Sequence, residues 1–147
     1  MQKPISIRQS QLSLSEVLRY VTQHKDMPAR IEALRENDTK AMRQFCQLAF
    51  GPDQFADLRD AGYVPDYKCR LENVSVSTES FYNVVASLTR AANPAISNLA
   101  RRDTINDLLD WLSPKEADIV VSLAKGNVNI PGFTEVLARS AFPELLQ

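Results

Sequence analysis

Glycine is scarce in this chain, with four in 147 residues, and histidine is scarcer still, with one. Neither GxGxxG nor GxxxxGK[ST] occurs, so the usual glycine-rich phosphate cradles are excluded. Any Ser-His or Cys-His pair would have to use His24, which the spacing puts at a helix C-terminus, where an imidazole commonly just favours the helix dipole. Two cysteines without a CxxC pair, beside one histidine, do not make an ordinary zinc site. Cys46 falls on the apolar side of a predicted helix and Cys69 in a loop, and buried or free thiols are favoured over a Cys46–Cys69 disulfide. Neither HExxH nor a D-x-D-x-D-G loop is present. The i,i+3 pairs Asp57/Asp60 and Asp107/Asp110 read as carboxylates flanking buried stripes. These absences predict no catalytic residue, no metal and no cofactor.

An excess of charge of one sign is missing too. Lys+Arg number 17 and Asp+Glu 18, a net charge of −1, and the sequence pI is near 5.8. A protein that binds nucleic acid mainly by charge is usually strongly basic, so any DNA contact here would need a local basic patch. No apolar run approaches the roughly 20 residues of a membrane span, and MQKPISIRQSQLSLS has no signal-peptide core. The expected setting is soluble and reducing, with no membrane partner. At 147 residues, 44% hydrophobic and 24% charged, the composition predicts one globular domain.

What is present is helical punctuation. Residues 1–11 are polar and aperiodic, which predicts a flexible arm, and 12–147 form the single predicted domain. Ser13-Leu14-Ser15-Glu16 is an S-x-x-E capping box opening a helix with Leu14, Val17, Leu18 and Val21 on one face. Pro28 opens a second helix, with Ile31 and Leu34 inward. Asp38 or Thr39 caps a third, which runs to Phe50 and is ended by Gly51-Pro52. From Asp53 to Val76 the pattern weakens into an irregular excursion, with a helical turn allowed at Phe55 and Leu58 and a short strand allowed at 71–76. Phe81, Val84, Val85 and Leu88 repeat at helical spacing, beginning from Ser77 or Thr78 and ending at Asn93-Pro94.

The C-terminal third reads as an αα-hairpin on which the rest is organised. Ile105, Leu108, Leu109 and Leu112 form one stripe, and Ala117, Val120, Val121 and Ala124 the next. Between them, Ser113-Pro114-Lys115-Glu116 predicts a sharp corner with Glu116 reaching back to the Ser113 N–H, and Trp111 lies close by. Gly126 stops the second helix, and Thr134 caps a last one that ends at Phe142-Pro143. The predicted class is all-α, a bundle of about seven short helices.

Two surfaces are candidates for contact. Pro131-Gly132-Phe133-Thr134 sets a glycine and a threonine cap at a helix start, where backbone N–H groups can hold a phosphate, with Lys125 and Arg101-Arg102 as nearby cations. An ordinary cap and charged turn is the competing reading. In the excursion, Phe55, Tyr63, Tyr67, Lys68 and Arg70 mix aromatic and basic groups, suited to a partner protein or a nucleic-acid backbone, or to pinning the loop to the core.

The order of these pieces carries a resemblance. It runs through Ile31-Glu32-Ala33-Leu34-Arg35-Glu36-Asn37 and its following helix, Gly51-Pro52, Phe81-Tyr82, Leu112-Ser113-Pro114-Lys115-Glu116-Ala117 and Lys125. Ile130-Pro131-Gly132-Phe133-Thr134 and Ala141-Phe142-Pro143-Glu144-Leu145 complete it. From about Val17 the chain resembles the N-terminal helical domain of T-even-type phage DNA ligases, and still more a group of small stand-alone tailed-phage proteins. The resemblance implies a domain that grips duplex DNA by its backbone, here through Arg101, Arg102, Lys125, Gly132 and Thr134. Ligase chemistry is not carried over, because no K-x-D-G nucleophile motif occurs. Gly126-Asn127-Val128-Asn129 stands where the ligases have a more basic, glycine-containing run. The resemblance therefore implies a non-enzymatic phage accessory module contacting DNA or the replication machinery, in the host cytoplasm or virion. The acidic pI favours the alternative, a protein–protein or virion module without DNA binding.

Overall fold

The computed structural model describes residues 12–67, 80–128 and 130–145, and these are all-helical, with no strand among them. The predicted arm (1–11), the allowed strand (71–76), Cys69, Lys68 and Arg70 lie outside the described residues.

Local capping chemistry sets most helix starts. In α1 (Leu14–Thr22) the expected box forms, with Ser13 Oγ accepting from the Glu16 N–H and Glu16 Oε1 from the Ser13 N–H at 2.9 Å. Asp26 caps α2 (Met27–Glu36), Thr39 caps α3 (Lys40–Phe50), and Ser80 caps α5 (Phe81–Ala92). The allowed turn in the excursion is α4 (Ala56–Asp60). Thr134 caps α8 (Glu135–Ala141).

Two expectations are corrected. The helix expected to carry Ile105 begins earlier, as α6 (Asn98–Leu109), because Ser97 Oγ accepts from the Ala100 N–H at 3.1 Å. The other correction concerns the start of α7 (Pro114–Ala124), where Glu116 does not close a box on Ser113. Its carboxylate crosses to α1 and accepts from the Ser15 N–H at 2.7 Å.

One apolar core joins the elements. Phe45 of α3 lies edge-on to Phe81 of α5, with centroids 6.1 Å apart, and 5.9 Å from Phe133 in the turn before α8. Phe50 stacks on Phe133 from the other side. The expected α6–α7 hairpin is not the organising unit. Helix α6 packs chiefly on α5, α8 on α2 and α3 on α5, while α1 touches α2, α5 and α7. On that buried face Arg101 donates to the Ala91 carbonyl, which ties α6 to the preceding helix α5 rather than to α7. Among the described residues no helix is long and apolar enough to cross a membrane.

The end of α7 is held by backbone and side chain together. Gly126, at φ +75°, gives its N–H to the Leu123 carbonyl, and the Asn127 N–H reaches Ser122, a Schellman ending. Arg59 Nη1 then donates to the Ala124 carbonyl at 2.9 Å while its other nitrogen pairs with Asp53. A Cβ on Gly126 would lie 2.9 Å from the Asp53 carboxylate and 3.0 Å from the Arg59 guanidinium. Gly62 has φ +94° with open space around it, so it isolates the backbone effect. Gly62→Ala is expected to cost about 1–2 kcal/mol through left-handed backbone alone. Gly126→Ala should exceed it by up to about 1 kcal/mol, as the ion pair must swing aside. Urea unfolding of both variants makes the comparison, and equal losses would show the clamp to be slack.

Candidate functional site

The five residues expected to grip DNA are not brought together as one exposed surface. Arg101 is 1% exposed and lies on the buried stripe of α6, one turn before Ile105. Its Nε donates to the Ala91 carbonyl at 2.7 Å and Nη2 to the Gln54 carbonyl at 2.8 Å. Its Nη1 pairs with Asp57 at 2.6 Å and also meets Asn98 Oδ1 at 3.4 Å. The guanidinium thus ties the end of α5 and the approach to α4 onto α6. Arg101 is withdrawn from the candidate phosphate ligands, because its donors are spent inside the protein. The guanidinium also holds the Asp57 carboxyl below its usual range, so Asp57 stays ionised.

Arg102, the next residue, is exposed, and its guanidinium lies 5.6 Å from the Tyr63 ring centroid. Lys125 is exposed at the C-cap of α7, adjoining the glycine that faces Arg59 and Asp53. These two cations therefore border the 53–63 segment from two different helices. Their surroundings are acidic. The segment and its continuation carry Asp53, Asp57, Asp60 and Asp66 against Arg59, and Asp103 and Asp107 lie exposed on α6 beside Arg102. Arg59 also holds the Asp53 carboxyl below its usual range.

The 130–134 corner is packed against α1 and α2. Gly132, at φ +81°, packs its α-carbon against Thr22 of α1 and Arg30 of α2, with both contacts at 3.4 Å from the position of a Cβ. Thr134 accepts from the Leu137 N–H with its own hydroxyl, and Glu135 puts a carboxylate in the first turn of the seven-residue α8. The Thr134 hydroxyl is spent on its own helix, and Glu135 is paired with Arg139 at 2.6 Å. Gly132 and Thr134 are structural here.

The aromatic candidates divide differently. Phe55 is 2% and Tyr63 5% exposed, so neither offers a partner surface. Tyr63 is anchored by its hydroxyl to Asn106 Oδ1 at 2.8 Å, and burial pushes that hydroxyl up to about 12. Both pin the excursion to the core. Tyr67 is only half-buried and gives its hydroxyl to the Leu112 carbonyl at 3.3 Å, at the corner between α6 and α7. Trp111, one residue before that carbonyl, is 49% exposed. The corner tryptophan, noted in the sequence for its place beside Ser113-Pro114, is thus exposed next in sequence to the residue that Tyr67 bonds.

Nothing at the remaining reactive groups assembles a catalytic set among the described residues. The His24 ring contacts the Val21 carbonyl and lies edge-on to Tyr20. Cys46 is a free thiol in the core, and burial pushes it up to about 12. No group of three or more His, Cys, Asp or Glu converges as a metal site among the described residues. Compared with protein-family models, with curated proteins and with solved structures, the chain matches none.

Two outcomes follow from these placements. Arg101→Ala should lower unfolding stability by about 2–5 kcal/mol, because the Ala91 and Gln54 carbonyls lose their donor and the buried side chain leaves a cavity. Asp57→Asn should cost far less, because that carboxylate is 58% exposed. Equal losses in urea unfolding would show that the ion pair, not the carbonyl contacts, holds Arg101. In a Cys69→Ser background Cys46 should ignore Ellman's reagent at pH 8 until the protein is unfolded; rapid labelling of the folded form would contradict the buried thiol.

Proposed function

We propose that this chain is a non-catalytic interaction module of a tailed phage, engaging a protein of the replication machinery or the virion through the Tyr67–Trp111 corner. The phage setting rests on the resemblance of residues 17–145 to the ligase helical domain and its stand-alone relatives. The observation that carries the protein-contact reading is the half-exposed Trp111 beside Tyr67, flanked in sequence by Asp66 and Asp110. Tryptophan and tyrosine at a rigid corner offer large contact area at small entropic cost, and partners bury such anchors preferentially. Acidic neighbours suit a partner surface that is apolar with a basic rim.

The DNA-backbone reading keeps support from Arg102 and Lys125, which are exposed and have no ion-pair partner among the described residues. It loses Arg101, Gly132 and Thr134, whose groups are used inside the fold. Two cations amid several acidic side chains form a weak phosphate surface.

Titration of the purified protein with a short duplex, intact and nicked, separates the readings. Binding at near-physiological salt is expected to be absent, and Arg102→Glu with Lys125→Glu should change nothing. Micromolar binding with a log–log salt slope of about −2, reduced by each charge reversal, would instead favour backbone contact through those two residues. For the protein reading, a photo-crosslinking residue at position 111 should give a discrete adduct in phage-infected extract, and one at exposed Lys40 should not. Equal adducts from both positions would remove the corner as the contact.

A further inference from the structure

A cleft between α1 and α7 is used by neither contact reading. The two helices are tied at their starts, where the Glu116 carboxylate accepts from the Ser15 N–H at 2.7 Å. Residues from the first turns of both helices line the cleft, as does the Ile130-Pro131 turn, which packs on Thr22 at the end of α1. Its volume is about 430 Å³, room for a row of side chains rather than a folded domain. The Glu116 tie and the anchoring of Phe133 in the core hold its walls in place.

The lining is apolar at its base and charged at its rim. Leu18 is buried, Ile119 and Ile130 are half-buried against the core, and Pro131 is exposed. Each helix adds one charge of each sign, three residues apart: Glu16 and Arg19 from α1, Lys115 and Asp118 from α7. Glu16 is engaged in its own capping bond to the Ser13 N–H. The side chains of Arg19, Lys115 and Asp118 are exposed and have no hydrogen-bond or ion-pair partner among the described residues. The rim therefore offers two free cations and one free carboxylate.

We propose that this cleft is a docking groove for an amphipathic helix of a partner protein. The apolar stripe of that helix lies on Leu18, Ile119 and Ile130, with carboxylates against Arg19 and Lys115 and a cation against Asp118. The chemistry of the groove selects this mode among the ways proteins recognise peptides. Strand addition needs an open sheet edge, and no strand exists among the described residues. A proline-rich segment needs an aromatic-lined groove, and no aromatic is among the described residues lining this one. A phosphopeptide or other strongly anionic ligand needs clustered cations, yet here Glu16 and Asp118 stand beside them. A helix meets what remains, an apolar stripe with flanks of both signs, packed ridge-into-groove against two helical walls. Its rim ion pairs set register and orientation more than affinity.

NMR titration of the purified chain with synthetic peptides tests the groove. The probe is a helical peptide of roughly 15 residues, leucine-striped at i, i+3, i+4 and i+7, with glutamates on both flanks and one lysine. It should shift the amides of Ser15, Arg19, Ile119 and Ile130 and bind about tenfold more tightly than a scrambled isomer. Arg19→Glu with Lys115→Glu, both at exposed positions, should weaken that binding about tenfold. A peptide with lysines in place of the glutamates should recover the loss. Equal binding of striped and scrambled peptides, or no recovery with the swapped charges, would overturn the groove. So would dodecanoate shifting those amides where the striped peptide does not, since the cleft would then take a small amphiphile. Shifts of the same amides on diluting the free protein would also overturn it, by giving the place to a second copy. The Tyr67–Trp111 reading stands separately, because none of these variants alters either residue.

Discussion

A guanidinium sealed from water must find acceptors for its donors, and Arg101 finds three on two separate stretches of chain. The carbonyls of Ala91 and Gln54 and the carboxylate of Asp57 all converge on it. Carbonyl 91 lies in the last turn of α5, where unpaired carbonyls gather, so the arginine also relieves that helix end. The turn between α5 and α6, the path of the chain out of α3 and the placement of α4 are fixed together by one planar ion. Arginine suits this better than lysine, whose single nitrogen could not span two carbonyls and a carboxylate.

That use of Arg101 explains why the candidate DNA surface comes apart. Adjacent basic residues on a helix point about 100° apart, so a pair such as Arg101-Arg102 rarely shares one environment. Here the first residue faces the core and the second lies over Tyr63. Tyr67 bonds the carbonyl of Leu112, the residue after Trp111, at the corner between α6 and α7. Surface chemistry in this protein is what remains after the excursion has been tied down.

Much of the architecture was legible because it is written in short-range code. Ser13 with Glu16, Thr39, Thr134 and Gly126 act within a turn of where they stand, and their roles follow from residue type and spacing. Apolar stripes likewise gave the buried faces of α1, α3 and α5. The failures share a cause. Ser113 and Glu116 have the right spacing for a box, but a helix distant in sequence offered Glu116 a backbone N–H, and the long-range bond won. Arg101 was read as a surface cation because charge outweighed position, although it stands four residues before Ile105, in register with the buried stripe. Phe55 and Tyr63 were equally readable as loop anchors or as contact residues, and only their burial separates the two. Which helices pair was not legible at all, since stripes show that a face is buried but not against what.

The pairing of α2 with α8 has a bearing on how the chain acquires its structure. Arg35 donates to the Ser140 carbonyl and Arg43 pairs with Glu144, contacts spanning more than a hundred residues, and the ring of Phe133 sits between Phe45 and Phe50. The first three helices therefore have their apolar faces completed by a segment made about a hundred residues after them. During synthesis those faces stay uncovered, and closure waits on loops that are entropically slow to form. A newly made chain passes through a sticky interval that ends only when residues 133–144 arrive, so loss of that segment would strand the first three helices in an aggregation-prone state.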